Sequence, residues 1–236
     1  MENYVVIDLE MTGLHPKEDA ILEVGAVKIR GKKIIDTLGF FVNAGRTLSE
    51  TVTGLTGITQ QMADGGCLPA EAIRRAAEFT EGEILVGHNV IFDYSFLKQL
   101  AVNERIPFER QAVDTLKLAR KFLTLPEKKN LDSLCDCFGI TREKRHRAFE
   151  DALATWKLYE RMEEMFLEGN EDAFEPKPLQ YKPKRQTSAT PAQKKRLKEL
   201  ADYHKIDLAV DLETITRSEA SRTADKIMAK YGRIPK

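Results

Sequence analysis

Asp8 and Glu10 stand inside YVVIDLEM, a run otherwise composed for a buried strand, where ionised side chains are costly unless something compensates them. Strand geometry turns alternate residues to one face, so the two carboxylates lie on the same side, about two residues' rise apart. A divalent cation is the simplest compensation. An edge strand that shows its polar face to water is the other reading, and the pair alone does not decide between them.

Two further segments carry the same question. In HNVIFD a strand ending at Gly87 runs into a helix with Asp93 in its first turn, and strand ends of α/β sheets are where sites gather. Asp93 equally suits the positive end of a helix dipole, and His88 equally suits a satisfied core histidine. In HRAFED, Asp151 lies beside the apolar stripe of the last long helix and faces inward. His146 precedes it by five residues, which on a continuous helix would place the two on different faces. His146 therefore works with Asp151 only from a loop before the helix, where a mobile imidazole suits proton transfer; an exposed loop residue without a role is the alternative.

Four carboxylates from three segments, with one histidine, are the set expected of a two-metal phosphoryl-transfer site. Such a site needs no nucleophilic side chain. The sequence holds no G-x-S-x-G, no P-loop and no G-x-G-x-x-G.

Periodicity and punctuation predict how these residues are carried. Strands are expected over Tyr4 to Glu10, Ile21 to Arg30 and Lys33 to Val42, then short strands near Ile84 to Gly87 and Ala112 to Val113. Helices are expected over Ala70 to Phe79, Asp93 to Val102, Thr115 to Phe122, Leu131 to Phe138 and about Arg147 to Leu167, the fourth capped by Asn130 and stopped by Gly139. Strands first, then strands alternating with helices, give an α/β fold with a mixed sheet covered by helices. From Gly169 prolines accumulate and apolar periodicity fades, marking a linker. The expected organisation is a domain over 1–168, a basic proline-containing linker over 169–188 and a small helical module over 189–236. Helices are expected there from Ala192 to Lys205 and after a Thr216/Glu219 capping box.

The chain of 236 residues has 37 basic and 37 acidic side chains, and this zero is a sum of opposites. Met1 to Glu175 holds 22 bases against 30 acids, a balance of −8, and Pro176 to Lys236 holds 15 against 7, a balance of +8. From Pro176 to Lys198 there are eight Lys or Arg and no acid. This density suits phosphate contact and makes Lys182, Lys184, Arg185, Lys194, Lys195, Arg196 and Lys198 candidates for a nucleic-acid tether, against the alternative of a basic linker without a ligand. Three cysteines, Cys67, Cys135 and Cys137, indicate neither a disulfide framework nor a zinc site. No apolar run approaches the ~20 residues of a membrane helix, and the N-terminus is acidic where a signal peptide is basic, so a soluble cytoplasmic protein with no membrane partner is expected.

VVIDLEMTGL, ILEVGAVKI, TGLTGIT, VGHNVIFDYSFL, VDTLKLAR, NLDSLCDCFGI and HRAFEDALATWKLY, in this order and spacing, resemble the DnaQ-like DEDDh exonucleases, the family that includes the proofreading exonucleases of bacterial replicative polymerases. The resemblance spans roughly residues 4 to 166. It implies an RNase H-like fold with a mixed five-stranded sheet and flanking helices. The implied reaction is metal-dependent removal of nucleoside 5′-monophosphates from the 3′ end of a polynucleotide, in replication or repair, with two Mg²⁺ or Mn²⁺ ions per site. Asp8 matches the carboxylate shared by both ions, Glu10 and Asp151 match further ligands, Asp93 matches a ligand acting largely through water, and His146 matches the general base. Met11 and Thr12 match backbone that holds the 3′ nucleotide, Leu55 matches an apolar wedge, and His88 and Asn89 are further substrate-contact candidates. The implied partners are single-stranded DNA 3′ ends and a DNA polymerase or repair complex. Met11 stands where many members have Thr, and DLEMTGL is also the form of the oligoribonucleases, so RNA trimming is the second reading; a non-catalytic partner of a polymerase is the third. The C-terminal segment resembles, more weakly, small helical modules of nucleic-acid enzymes that begin A-T-P-x-Q.

Overall fold

Alternation along the first strand sets the architecture. In β1 (Asn3–Met11) the odd residues Val5, Ile7 and Leu9 enter one core and the even residues Tyr4 and Val6 enter another. A strand with apolar residues on both faces must be central, and β1 is: it pairs antiparallel with β2 (Ile21–Arg30) and parallel with β4 (Leu85–Gly87). The structure, a computed structural model, describes residues 1–208, 210–213 and 215–235. Ala209, Thr214 and Lys236, three positions of the expected 189–236 module, lie outside the described residues.

β3 (Lys33–Phe41) completes the opening meander on β2. Two short helices follow, α1 (Glu50–Thr56) and α2 (Gln60–Asp64), capped by the side chains of Ser49 and Thr59. Then come α3 (Pro69–Phe79), β4, α4 (Val90–Glu104), β5 (Gln111–Asp114), α5 (Thr115–Phe122), α6 (Leu131–Phe138) and α7 (Ala148–Phe166). Helices α3 and α4 cover the odd face of β1, where Ile73, Ala76, Tyr94 and Leu97 meet Val5 and Ile7. Helix α7 covers the even face, with Ala152, Leu158, Tyr159 and Met162 against Tyr4 and Val6. Asp8 and Glu10 are even residues, so the alternation that builds the core also aims them at α7.

The sheet has six strands in the order β3-β2-β1-β4-β5-β6, where five were expected. The sixth, β6 (Lys177–Pro178), comes from the segment read as linker and pairs antiparallel with β5. Proline lacks a donor, which an edge strand tolerates on its outer side, and proline-rich chain is already extended. The stretch 169–188 is thus not free along its length. Helix α8 (Glu171–Phe174) buries Phe174 against Phe122 and Tyr159, and Leu179 and Tyr181 pack on the core under α4. Gln99 Nε2 donates to the Lys184 carbonyl at 3.0 Å.

The C-terminal module is a helix pair, α9 (Pro191–His204) and α10 (Arg217–Tyr231), around Leu197, Leu200, Ile215, Ala220, Ala224 and Ile227. The reciprocal capping box lies at Thr190/Gln193 on α9. At α10, Thr216 caps the Glu219 N–H. No helix among the described residues is long and apolar enough to cross a membrane.

Candidate active site

Strand β4 is three residues long and pairs with β1 only at Val5 and Val6, so the backbone of β1 beyond that point lacks a partner on this side. The chain turns out of β4 at His88 and Asn89, the latter in the left-handed conformation that Asn tolerates, and begins α4. That turn brings Asp93 to the orphaned stretch, where its Oδ1 accepts the Leu9 N–H at 3.0 Å. Asp114 fixes the turn by accepting the Asn89 N–H at 2.9 Å and the Leu116 N–H at 3.0 Å, the second being the cap of α5.

Helix α7 is delivered from the other side. Gly25 faces Asp8 across the β1–β2 ladder, and a Cβ there would lie 2.2 Å from the Ala148 carbonyl carbon and the Phe149 nitrogen. Only glycine allows the first turn of α7 to sit on the strands so closely. Glu23, opposite Glu10 in the same ladder, anchors that turn through Arg147 (Nε to Oε2 3.0 Å, Nη2 to Oε1 2.9 Å) and the Ala148 N–H at 3.2 Å. Asp151, one turn further, then faces the carboxylates of β1.

Asp8, Glu10, Asp93 and Asp151 line one cleft of about 560 Å³ together with His146. His146 lies on the loop before α7, at φ 56°, and ligand atoms of Glu10, His146 and Asp151 all fall within 4.8 Å of one another. Burial pushes the Asp8 carboxyl well above the ordinary range, and Asp93, Asp151, Glu10 and Glu23 push it further. Burial, then Asp151 and Glu23, raise Glu10 to about 8. Burial raises Asp93 to about 7 against the N–H of Leu9, and raises Asp151 against the Arg142 guanidinium. Crowded oxygen donors whose ionisation is opposed by burial and by each other fit a divalent cation, which relieves both. An acidic site able to hold metal is therefore present.

The remaining candidates divide. Met11, Thr12 and Leu55 line the cleft, and Leu55 is 58% exposed. The Thr12 N–H donates to the Ala20 carbonyl and its hydroxyl accepts the Ala20 N–H, so both are committed internally. His88 forms part of the cleft wall, with Nδ1 on the Thr115 hydroxyl at 2.9 Å and Nε2 on the Lys129 carbonyl at 2.8 Å. Burial lowers its pKa. Asn89 is exposed beside the cleft. Lys182, Lys184, Arg185 and Lys198 are exposed, Lys194 and Lys195 pair with Glu213 and Glu199, and Arg196 rests on Met228.

Periodicity did not single out Glu23, Asp114 or Arg142. Arg142 is almost fully buried, binds Asp132 and holds Asp151 Oδ1 at 2.5 Å. Leu14, 71% exposed, adds a second apolar edge to the cleft.

A family model described as an exonuclease family, RNase T, matches residues 5–159. The chain is 40% identical over 165 residues to a PolC-type DNA polymerase III of Caldanaerobacter subterraneus subsp. tengcongensis, and 42% identical over 166 residues to that of Bacillus subtilis. These matches cover 70% and 68% of this chain but only 12% and 11% of those polymerases. Among solved structures, Escherichia coli Exonuclease I in complex with a dT13 oligonucleotide aligns with a TM-score of 0.65 at 18% identity, over 73% of this chain and 43% of that one. At that identity the likeness shows the fold alone, a mixed sheet flanked by helices.

Proposed function

The chain belongs to the RNase T exonuclease family, and from that premise we propose that it is a 3′ to 5′ exonuclease that releases nucleoside 5′-monophosphates from single-stranded DNA or frayed 3′ ends. The observation that carries the reading is the convergence of Asp8, Glu10, Asp93 and Asp151 with His146 in one cleft. The DNA polymerases among the relatives, and the dT13 bound by the structural neighbour, favour DNA over RNA as the strand and a polymerase or repair complex as the partner.

Asp8, Glu10, Asp93 and Asp151 are the residues that would hold two Mg²⁺ or Mn²⁺ ions. When bound, these supply activation of water and charge stabilisation of the leaving oxygen. His146 takes the proton of the attacking water, which its loop position allows without displacing a helix. Arg142 and the Glu23–Arg147 pair position Asp151 from two sides. The terminal nucleotide lies against Met11 to Leu14, with Leu55 wedged beside its base. The exposed Lys182, Lys184, Arg185 and Lys198 hold the strand outside the cleft by counterion release.

The test is a 5′-labelled oligonucleotide incubated with Mg²⁺, as DNA and as RNA of the same sequence. Stepwise shortening, faster on DNA and abolished by a chelator, is the expected result. Absence of metal-dependent laddering with wild type would sink the activity, and preference for short RNA would move the protein to the oligoribonuclease reading.

A further inference from the structure

The catalytic cleft does not end at His88 and Asn130. Both residues also line a second cavity of about 690 Å³, whose other walls are Asn89, Leu116, Arg120, Leu123, Glu127 and Lys129. We propose that this cavity is a subsite for the nucleotides next to the scissile one, with Arg120 binding their phosphate; it rests on the exonuclease reading above.

Charge is the first argument. The first 175 residues carry a balance of −8, yet residues 115–130 hold five bases, Lys117, Arg120, Lys121, Lys128 and Lys129, against the single acid Glu127. Of these, Arg120 and Lys129 line the cavity together with Glu127, while Lys117 and Lys121 line a separate pocket with Asp172 and Glu175, so with the Lys129 ammonium bound to carbonyls Arg120 is the cationic group this cavity offers a phosphate. Availability is the second. Arg142 and Arg147, nearest the carboxylates, are bound by Asp132, Asp151 and Glu23, whereas Arg120 is exposed and has no carboxylate partner among the described residues. The planar guanidinium matches a phosphate through paired N–H donors.

Construction is the third argument. Lys129 ties its ammonium to the Thr124 and Pro126 carbonyls, and its own carbonyl receives His88, so the loop facing Arg120 is closed on itself and on β4. Asn130 caps α6 through Ser133. Half-buried Leu116 and Leu123 offer apolar surface to a base, and the amides of Asn89 and Asn130 flank them. A cavity with one free guanidinium, apolar walls, two asparagine amides and the single carboxylate Glu127 suits a single-stranded backbone with its bases splayed.

The experiment uses the full chain with Arg120→Glu and, as a charge-matched control, Lys157→Glu at an exposed position on α7. Substrates are the p-nitrophenyl ester of thymidine 5′-monophosphate, which has no neighbouring nucleotide, and single-stranded DNA of two, four and eight nucleotides. Arg120→Glu is expected to raise KM about 10-fold on four and eight nucleotides, leave the ester unchanged, and lower the slope of log KM against log salt by about 0.7, one single-strand phosphate contact. Unchanged length dependence and slope, an equal loss on the ester, or an equal loss in Lys157→Glu would each overturn the subsite. Fluorescence anisotropy of a labelled octanucleotide repeats the comparison without turnover. Weaker binding by Arg120→Glu in a chain that hydrolyses nothing would keep the subsite and sink the exonuclease reading, and unchanged binding with active hydrolysis would do the reverse.

Discussion

The cleft and the C-terminal module are built on opposite electrostatic terms. In the module Thr190 and Gln193 cap one another, Thr216 caps α10, and Lys194 and Lys195 have acid partners within it. It attaches to the larger domain by polar contacts, Arg222 with Glu18 at 3.4 Å and Arg46 with Glu219 at 3.3 Å, and the segment before it is held by Gln186 on Asn103. In and beside the cleft, five buried or half-buried acids converge, counting Glu23, and among the described residues Arg142 and Arg147 are the cations paired with them. One region finds most of its partners in other side chains of the protein. On the proposed function the other is completed by a divalent cation, and its crowded acids mark the candidate site.

The largest expected break in this contrast is Asp8→Asn. Partners of metal ligands alone cost 10–100-fold, so loss of this ligand should lower activity by more than about 100-fold. With the mutual repulsion relieved, the same variant should melt at a higher temperature than wild type in chelator. A lower Tm would mean that Asp8 is already satisfied within the protein. His146→Ala should follow, with a loss of about 10²–10⁴-fold in kcat and little change in Mn²⁺ affinity. Equal collapse of metal affinity would make His146 a ligand, which its closeness to Glu10 and Asp151 makes the pointed alternative.

Third comes pH. Acids whose folded values lie above their unfolded values near 4 stabilise the fold most below that value, and this contribution is lost as pH rises through 7 for Asp93 and 8 for Glu10. In chelator, Tm should fall by on the order of 5 °C between pH 5 and 8.5, and Mg²⁺ should restore much of it at the upper end. A Tm that rises over this window would contradict the assignment. Smallest is the module's attachment: Arg222→Glu breaks an exposed pair worth less than about 1 kcal/mol, so Tm should drop by at most about 4 °C and recover when Glu18→Arg is added. No recovery in the double variant would show that this pair does not couple the two regions.

Much of this was legible in the chain because the responsible signals are local. An acid inside an apolar strand, a cap before an apolar run and a glycine after it each declare themselves within a few residues, as Asp8, Asn130 and Gly139 do. Glu23 shows the limit. It sits in ILEVGAVKI as anomalously as Asp8 sits in VVIDLEM, yet its partner Arg147 is 124 residues away and no periodicity connects them. Arg142 is hidden for the same reason, and so is the bond of Asp114 to Asn89, although its cap on α5 is local. Helices α1 and α2 escaped because they are seven and five residues long, too short for a repeating stripe, although Ser49 and Thr59 mark their starts. The sixth strand escaped because prolines argue against pairing, a bias the outer edge of a sheet relaxes.

The account turns on one claim, that the cleft's carboxylates are left for a cation to complete. Calorimetric titration of the metal-free chain with Mn²⁺ at pH 7, in two buffers of different ionisation enthalpy, tests it most directly. The account predicts binding that releases protons, because Asp8, Glu10 and Asp93 hold protons above the ordinary carboxylate range until the ion arrives, and less release in Asp8→Asn. Binding with no proton release, or no binding at all, would contradict it.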